Sequence, residues 1–487
     1  MGVGSTKRKR KRSKCAQKEP QLIAKDDLVF QFYLRDYASL YCSDDNGKML
    51  KLWETVETGL QSFQHQKGTR KRPKIFANFP WSRCMINNFA TLKRLSNFQG
   101  SLALSYIIPT EKVGQPLLKK IRNLRLDSVN LEEVPWKFQN ATSLVLSNCV
   151  DASESWNKEI VTTVNLKSLK VVDTFLSSDM LRTLSNLTSL TLFMSKDQNV
   201  SFTDEDFQHL PHLQQLVGLF HVLERNTNEA FRHLSNLTSL YMPNCYNSRI
   251  SDSAFYHLSN LKSLTISGFG PSRITDDAFL HLSNLTFLDM CDCDQPTITD
   301  EAFRHLSKLT VLDMGNCDQL TITDEAFRHL SNLMSLNMHN CDQRTITDEA
   351  FRHLSNLTSL NMRNCNQPTI TDEAFQHLSC LISFNMSSCN QSTITNTAFD
   401  HLGKLNHLRI TGCRQKKITN RAFSNLTNLQ HLEMDGCDQS QITNKAFSHL
   451  SNLTYLNTYG CSQRRLNCRA RRHLIKLRVG VGKVMFP

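Results

Sequence analysis

No stretch of the 487-residue chain stays apolar for the roughly 18 residues that a membrane-spanning helix needs. The opening MGVGSTKRKRKRSKC lacks the apolar core of a secretory signal, so the chain reads as one that meets a reducing compartment. There the sixteen cysteines are thiols rather than bridges. The regular ones come one per unit, not in the C-x2-C pairs with further ligands that zinc sites favour, and no metal or cofactor is expected. No nucleophile stands with a base, no carboxylates pair about a reacting centre, and no glycine loop is set to cradle phosphate. The chain therefore carries no catalytic constellation and is read as a non-enzyme. Aromatic residues interleaved with Lys or Arg, the mark of an RNA-stacking surface, are missing as well.

Acidic residues are absent from two stretches. Residues 7–14 hold seven Lys or Arg, and residues 464–483 hold eight. Setting those fifteen aside leaves 42 basic residues against 44 acidic ones. The net charge of +13 thus belongs to two ends, and the body between them is nearly neutral. Nucleic acid is not an expected partner of that body.

What the chain has instead is a period. Phe207, Phe231, Phe255, Phe279, Phe303, Phe327, Phe351, Phe375, Phe399, Phe423 and Phe447 follow one another at 24-residue intervals. Cys293, Cys317, Cys341, Cys365, Cys389, Cys413, Cys437 and Cys461 keep the same step. Self-similarity of this length means stacked units, each too small to bury its own apolar side. The unit Leu285 to Lys308 illustrates the grammar. Leu288 and Met290 alternate with polar Asp289 and Cys291, the period of a short strand. A polar turn follows, then Ile298. Thr299 or Asp300 can cap a helix whose first turn suits the carboxylates of Asp300 and Glu301. Ala302, Phe303 and Leu306 fall on the buried side of that helix, and Arg304 and His305 point elsewhere.

The pattern LxxLxMxxC…ITDEAFxxL resembles a leucine-rich repeat, in the variant that places cysteine where many carry asparagine. The resemblance covers about residues 119–479. It implies an α/β solenoid: a curved parallel sheet on the concave side, short helices on the convex side, and a small helical N-terminal region. Residues 213–452 form ten regular units, with a sheet roughly 45 Å long at ~4.8 Å per strand. Residues 119–212 hold irregular repeats, and residues 453–487 a basic C-terminal cap that includes a last strand near Leu477-Arg478-Val479. The unit from Leu261 is expected to loosen the ladder, because Phe269 replaces the cysteine there.

Residues 1–25 read as a disordered basic tail and residues 65–118 as a basic linker and N-terminal cap. Residues 26–64 suggest short helices. Their LRDYASLYCSDDNGKMLKLWETV resembles the second half of an F-box, although the leucine-proline opening is missing and SDDNG interrupts the helix. That resemblance implies docking on a Skp1-like adaptor of a ubiquitin ligase (SCF) complex through Leu34, Leu40, Leu52 and Trp53. The competing reading is a helical cap on the first repeat. Lys7, Arg8, Lys9, Arg10, Lys11 and Arg12 fit a nuclear import address or a solubilising tail. Met1-Gly2 through Thr6 also match a myristoylation pattern. An acyl chain on Gly2 beside this charge would supply two membrane signals. Location is accordingly read as nuclear or cytoplasmic, with membrane attachment if Gly2 is acylated.

The regular cysteines are expected as buried thiols weakly bonded to the backbone. The recurrent helix histidines, His209 to His449, are expected to face solvent. Asn-Leu-Thr at Asn186, Asn236, Asn284, Asn356, Asn425 and Asn452 matches a glycosylation acceptor, but the structural reading, a turn back into the strand, is preferred. Partner binding is expected of the exposed strand positions: Tyr241, Asp289, Asp313, Asn337, His339, Asn361, Arg363, Arg409, Glu433 and Tyr459. Protein hot spots favour Tyr and Arg, so Tyr241, Arg363, Arg409 and Tyr459 lead that group. The expected partner is a protein, bound by a monomer of this chain.

Overall fold

The computed structural model describes residues 29–33, 74–78, 101–105, 122–131, 140–149, 165–175, 178–193, 203–218, 227–243, 249–268, 274–293, 296–318, 320–463 and 466–482. One parallel sheet runs from Ser101–Ser105 to Val479–Gly482, each strand pairing with the next in chain order. The sheet is open and curved, with one coil of chain per strand.

Register steps differ along the sheet. Asn123, Ser143, Ser168, Ser189 and Gln215 align across neighbouring strands, so the steps are 20, 25, 21 and 26 residues. From Gln215 to Val479 every step is 24. The final strand lies at Val479–Gly482, slightly beyond the expected Leu477-Arg478-Val479. The loosening expected at Phe269 falls on residues 269–273, outside the described ones.

The helices are mostly a single turn of 3-10 type, as at Asp300–His305, and occasionally α, as at Asp348–Arg352. From Thr227 on, each Thr N-cap accepts the N–H two residues on, as Thr347 Oγ1 does from Glu349. Ala350 and Phe351 are buried, while Arg352 and His353 are exposed. The repeated histidines are exposed or half-exposed throughout, as expected. The eleven periodic phenylalanines all lie in one continuous core with the leucines of both flanks.

The N-terminal region differs from expectation where it is described. Within residues 26–64 the described part is a strand, Val29–Tyr33, paired in parallel with Lys74–Asn78, instead of a helix. VFQFY is rich in aromatic and β-branched residues, which favour extended chain. Leu34, Leu40, Leu52 and Trp53, Gly2, and Lys7 to Arg12 lie outside the described residues.

Candidate binding surface on the concave sheet

A three-residue strand such as Val311–Asp313 sends Leu312 into the core and its two flanking residues to the concave side. Stacking then makes rows. Tyr241, Asp289, Asp313, Asn337, Asn361, Arg409 and Glu433 share one row, register by register. His339, Arg363 and Tyr459 form a second row two residues on, where the chain leaves the strand. All ten positions expected from sequence thus lie on the strand side of the coil.

Several of them hold the coil together, which their polarity alone does not reveal. Asp289, Asp313, Asn337 and Asn361 each accept, through Oδ1, the backbone N–H two residues ahead, at 3.0 to 3.3 Å. Asn337 Nδ2 donates to Asp313 Oδ2 at 2.8 Å, and Asn361 Nδ2 to Asn337 Oδ1 at 2.8 Å. These side chains close the strand ends and tie coil to coil. Burial holds the Asp289 carboxyl above its ordinary pKa against the Cys291 N–H bond, and the like charges of Asp313 and Asp292 push the same way.

The more available groups cluster further along. Arg409 Nε lies 3.2 Å from Glu433 Oε1, and His431 Nε2 lies 2.8 Å from that same oxygen. Arg363 is exposed, and Tyr241 and Tyr459 are 39% and 70% exposed. Sequence reasoning missed a third row, the first residue of each strand. There His407 stacks on His431 with centroids 5.4 Å apart, and His431 on Tyr455 at 4.0 Å with rings nearly parallel. Burial, then the neighbouring His431 and Arg409, lowers the pKa of His407. The signal was legible in retrospect: this position is serine in the three preceding coils, and three aromatic rings then follow one another here.

Other recurrent residues resolve into coil-to-coil bonds. Cys341 Sγ donates to the Met314 carbonyl at 3.0 Å, and Cys365 and Cys389 repeat this to Met338 and Met362 at 2.8 Å. Burial raises these thiols, Cys341 to about 12. Asp348 clamps the next coil: Oδ1 accepts from the Thr371 N–H and Oδ2 from its hydroxyl, each at 2.7 Å. The Asn-Leu-Thr motifs are built in likewise. Asn356 Nδ2 donates to the Ser331 carbonyl at 2.9 Å and Thr358 Oγ1 to the Met334 carbonyl at 2.9 Å. Among the described residues no group of three or more His, Cys, Asp or Glu is arranged to hold a metal. No described helix is long and apolar enough to cross a membrane.

A continuous parallel ladder with one strand and one short helix per coil is a leucine-rich-repeat solenoid. The family model of the BspA-type leucine-rich-repeat region, six copies long, matches residues 224–343 and again 344–463. Residues 224–463 thus carry leucine-rich repeats, within a solenoid of that fold. The fold of the chain is similar to TLR13 in a TLR13–ssRNA13 complex, with a TM-score of 0.62 at 19% identity over 86% of this chain and 67% of that one. It is also similar to a structure of the Drosophila Toll–Spatzle complex, with a TM-score of 0.56 at 16% identity over 81% of this chain. The chain spans 62% of that neighbour's length. At these identities the likeness is one of fold. No curated protein sequence matches the chain.

Proposed function

We propose that this protein is a non-enzymatic interaction module that grips a protein partner on the concave sheet, centred on the coils from His407 to Tyr459. The observation that carries this reading is the Arg409–Glu433–His431 group beside the stacked His431–Tyr455 rings, on strands fixed by main-chain pairing, with the exposed Tyr459 just past the last of them. Rigid elements presenting Tyr, Arg and His lose little conformational entropy on binding. The solenoid architecture is one suited to protein–protein contact, and the Toll neighbour was captured with Spatzle.

Proximity labelling with the full chain tests it. The triple variant Arg409→Ala, His431→Ala, Tyr459→Ala should lose the labelled proteins that the convex control Arg304→Ala, Arg352→Ala keeps. An unchanged labelled set in the concave variant refutes the proposal.

A second contact surface is favoured by the helix Cys468–His473. Arg469, Arg471 and Arg472 are exposed there, and no acidic residue lies within 464–483. In this reading the basic ends meet an anionic membrane or nucleic acid. Deleting residues 1–15 and replacing these three arginines by Gln should then change localisation; an unaltered pattern rejects it. Adaptor docking through residues 26–64 is the finer version of the first reading, tested by pull-down of the full chain on a Skp1-like adaptor.

A further inference from the structure

A glutamine stands two residues after each regular cysteine. Gln295, Gln319, Gln343, Gln367, Gln391, Gln415, Gln439 and Gln463 recur at the 24-residue step. Their neighbours do not keep pace: Asp, Asn, Arg or Ser precedes them, and Pro, Leu, Arg, Ser or Lys follows. The coil upstream has Pro271 in the equivalent place, so the column starts where the regular cysteines start.

The described members, Gln343 to Gln463, are only 0 to 6% exposed. For Gln343, Gln367, Gln391, Gln415 and Gln439, both the amide oxygen and the amide nitrogen are buried with no hydrogen-bonding partner. A buried amide left unpaired is costly, so a whole column of them would be a heavy burden on a marginally stable fold. An apolar residue would fill the same space without that cost. Retaining glutamine in eight successive coils therefore needs a partner, and each amide has one of the right chemistry one coil away.

We infer that Gln343 to Gln463 form a buried amide file, each Nε2 donating to Oε1 of the glutamine in the adjoining coil. The molecule already makes this bond elsewhere across the same coil spacing. On its surface Asn340 Nδ2 donates to Asn316 Oδ1 and Asn364 Nδ2 to Asn340 Oδ1, each at 2.6 Å. On the concave sheet Asn361 Nδ2 reaches Asn337 Oδ1 at 2.8 Å. Strands ~4.8 Å apart bring identical amides within hydrogen-bond distance when they lie in register, as in stacked cross-β glutamine ladders. A glutamine side chain needs only rotation about its terminal torsions to meet this geometry. The file fixes coil against coil inside the turn, in the place where the loops outside it vary. It makes residues 343–463 one registered block behind the proposed docking surface, and it stands whether or not that surface binds a partner.

Two measurements on the full chain test the file. In protein labelled with nitrogen-15 glutamine, the side-chain amide protons of the file should exchange with deuterium at least 100-fold more slowly than an exposed glutamine amide. Exchange at the exposed rate overturns the inference. Thermal unfolding of Gln391→Met should lower Tm by several degrees, because two neighbours lose a partner. Adding Gln343→Met, Gln367→Met, Gln415→Met and Gln439→Met should then lower Tm by much less than five single losses, or raise it. Losses that add in proportion, or a Gln391→Met variant with unchanged Tm, overturn it.

Discussion

Between Asn123 and Phe193 neighbouring coils share five-residue strands, whereas between Phe287 and Glu433 they share three. The first region has uneven coils, the second equal ones. Where register steps vary, a turn side chain meets no identical counterpart at its own height, and longer main-chain pairing joins the coils. Where every step is 24, each polar position recurs against itself. Thiol–carbonyl bonds, Asp–Thr clamps and Asn ladders then take over part of the work, and the strands shorten. Equal coil length is thus the condition for side-chain ladders, and the ladders explain why so much of ITDEAF and NC-x-Q recurs.

The largest expected effect is one of pH. Burial raises the folded thiols of Cys341 and Cys413 to about 12, against an ordinary value of 9.0, and it raises Cys317, Cys365, Cys389 and Cys437 as well. Above pH 9 the unfolded chain therefore gives up protons that the folded chain keeps, so stability falls as pH rises. Each thiol contributes about 1.4 kcal/mol per pH unit between the two values. Urea midpoints at pH 8 and pH 10 should differ steeply, and replacing Cys341 and Cys365 by Ala should flatten the slope. The uneven region has one such described thiol, Cys149, and contributes little to it.

Phe351→Ala comes next, at ~3–5 kcal/mol, because it empties a fully packed site. Asp348→Ala should cost about 1–3 kcal/mol by orphaning the N–H and hydroxyl of Thr371. Equilibrium unfolding measures both, and a neutral Asp348→Ala would mean that the clamps do not hold the coils. Asn340→Ala should cost about 1–2 kcal/mol, since its φ of 56° is left-handed. Asn340→Gly should cost less, as Gly412, Gly436 and Gly460 already take that conformation at the equivalent site. Smallest is Arg352→Ala, at ~0.5 kcal/mol or less, since its partner Glu349 is as exposed as it is.

The period, the buried face of each helix and the inward thiols were readable from one coil's worth of sequence, because they depend on local spacing. The bonds between coils were not. Asp348 reads as a helix-start carboxylate when its own coil is considered; that it grips Thr371 appears only once the coils are stacked. Asn337 and Asn361 look free in sequence for the same reason, and are half taken up by their neighbours. Asp292, Asn340 and Asn364 sit in the left-handed turn after the strand, a conformation that Gly, Asn and Asp adopt at least cost and that Ser388 holds one coil on. The His407–His431–Tyr455 stack escaped notice because its row is mostly serine.

The dependence on equal coils is tested most directly by inserting one alanine. Placed between Pro368 and Thr369 in the full chain, it breaks the 24-residue step in the middle of the laddered block. Placed after Phe175, it adds one residue to coils that already differ in length. Thermal unfolding should show a loss at the first site of at least twice that at the second. Equal losses, or a greater one after Phe175, would contradict the account.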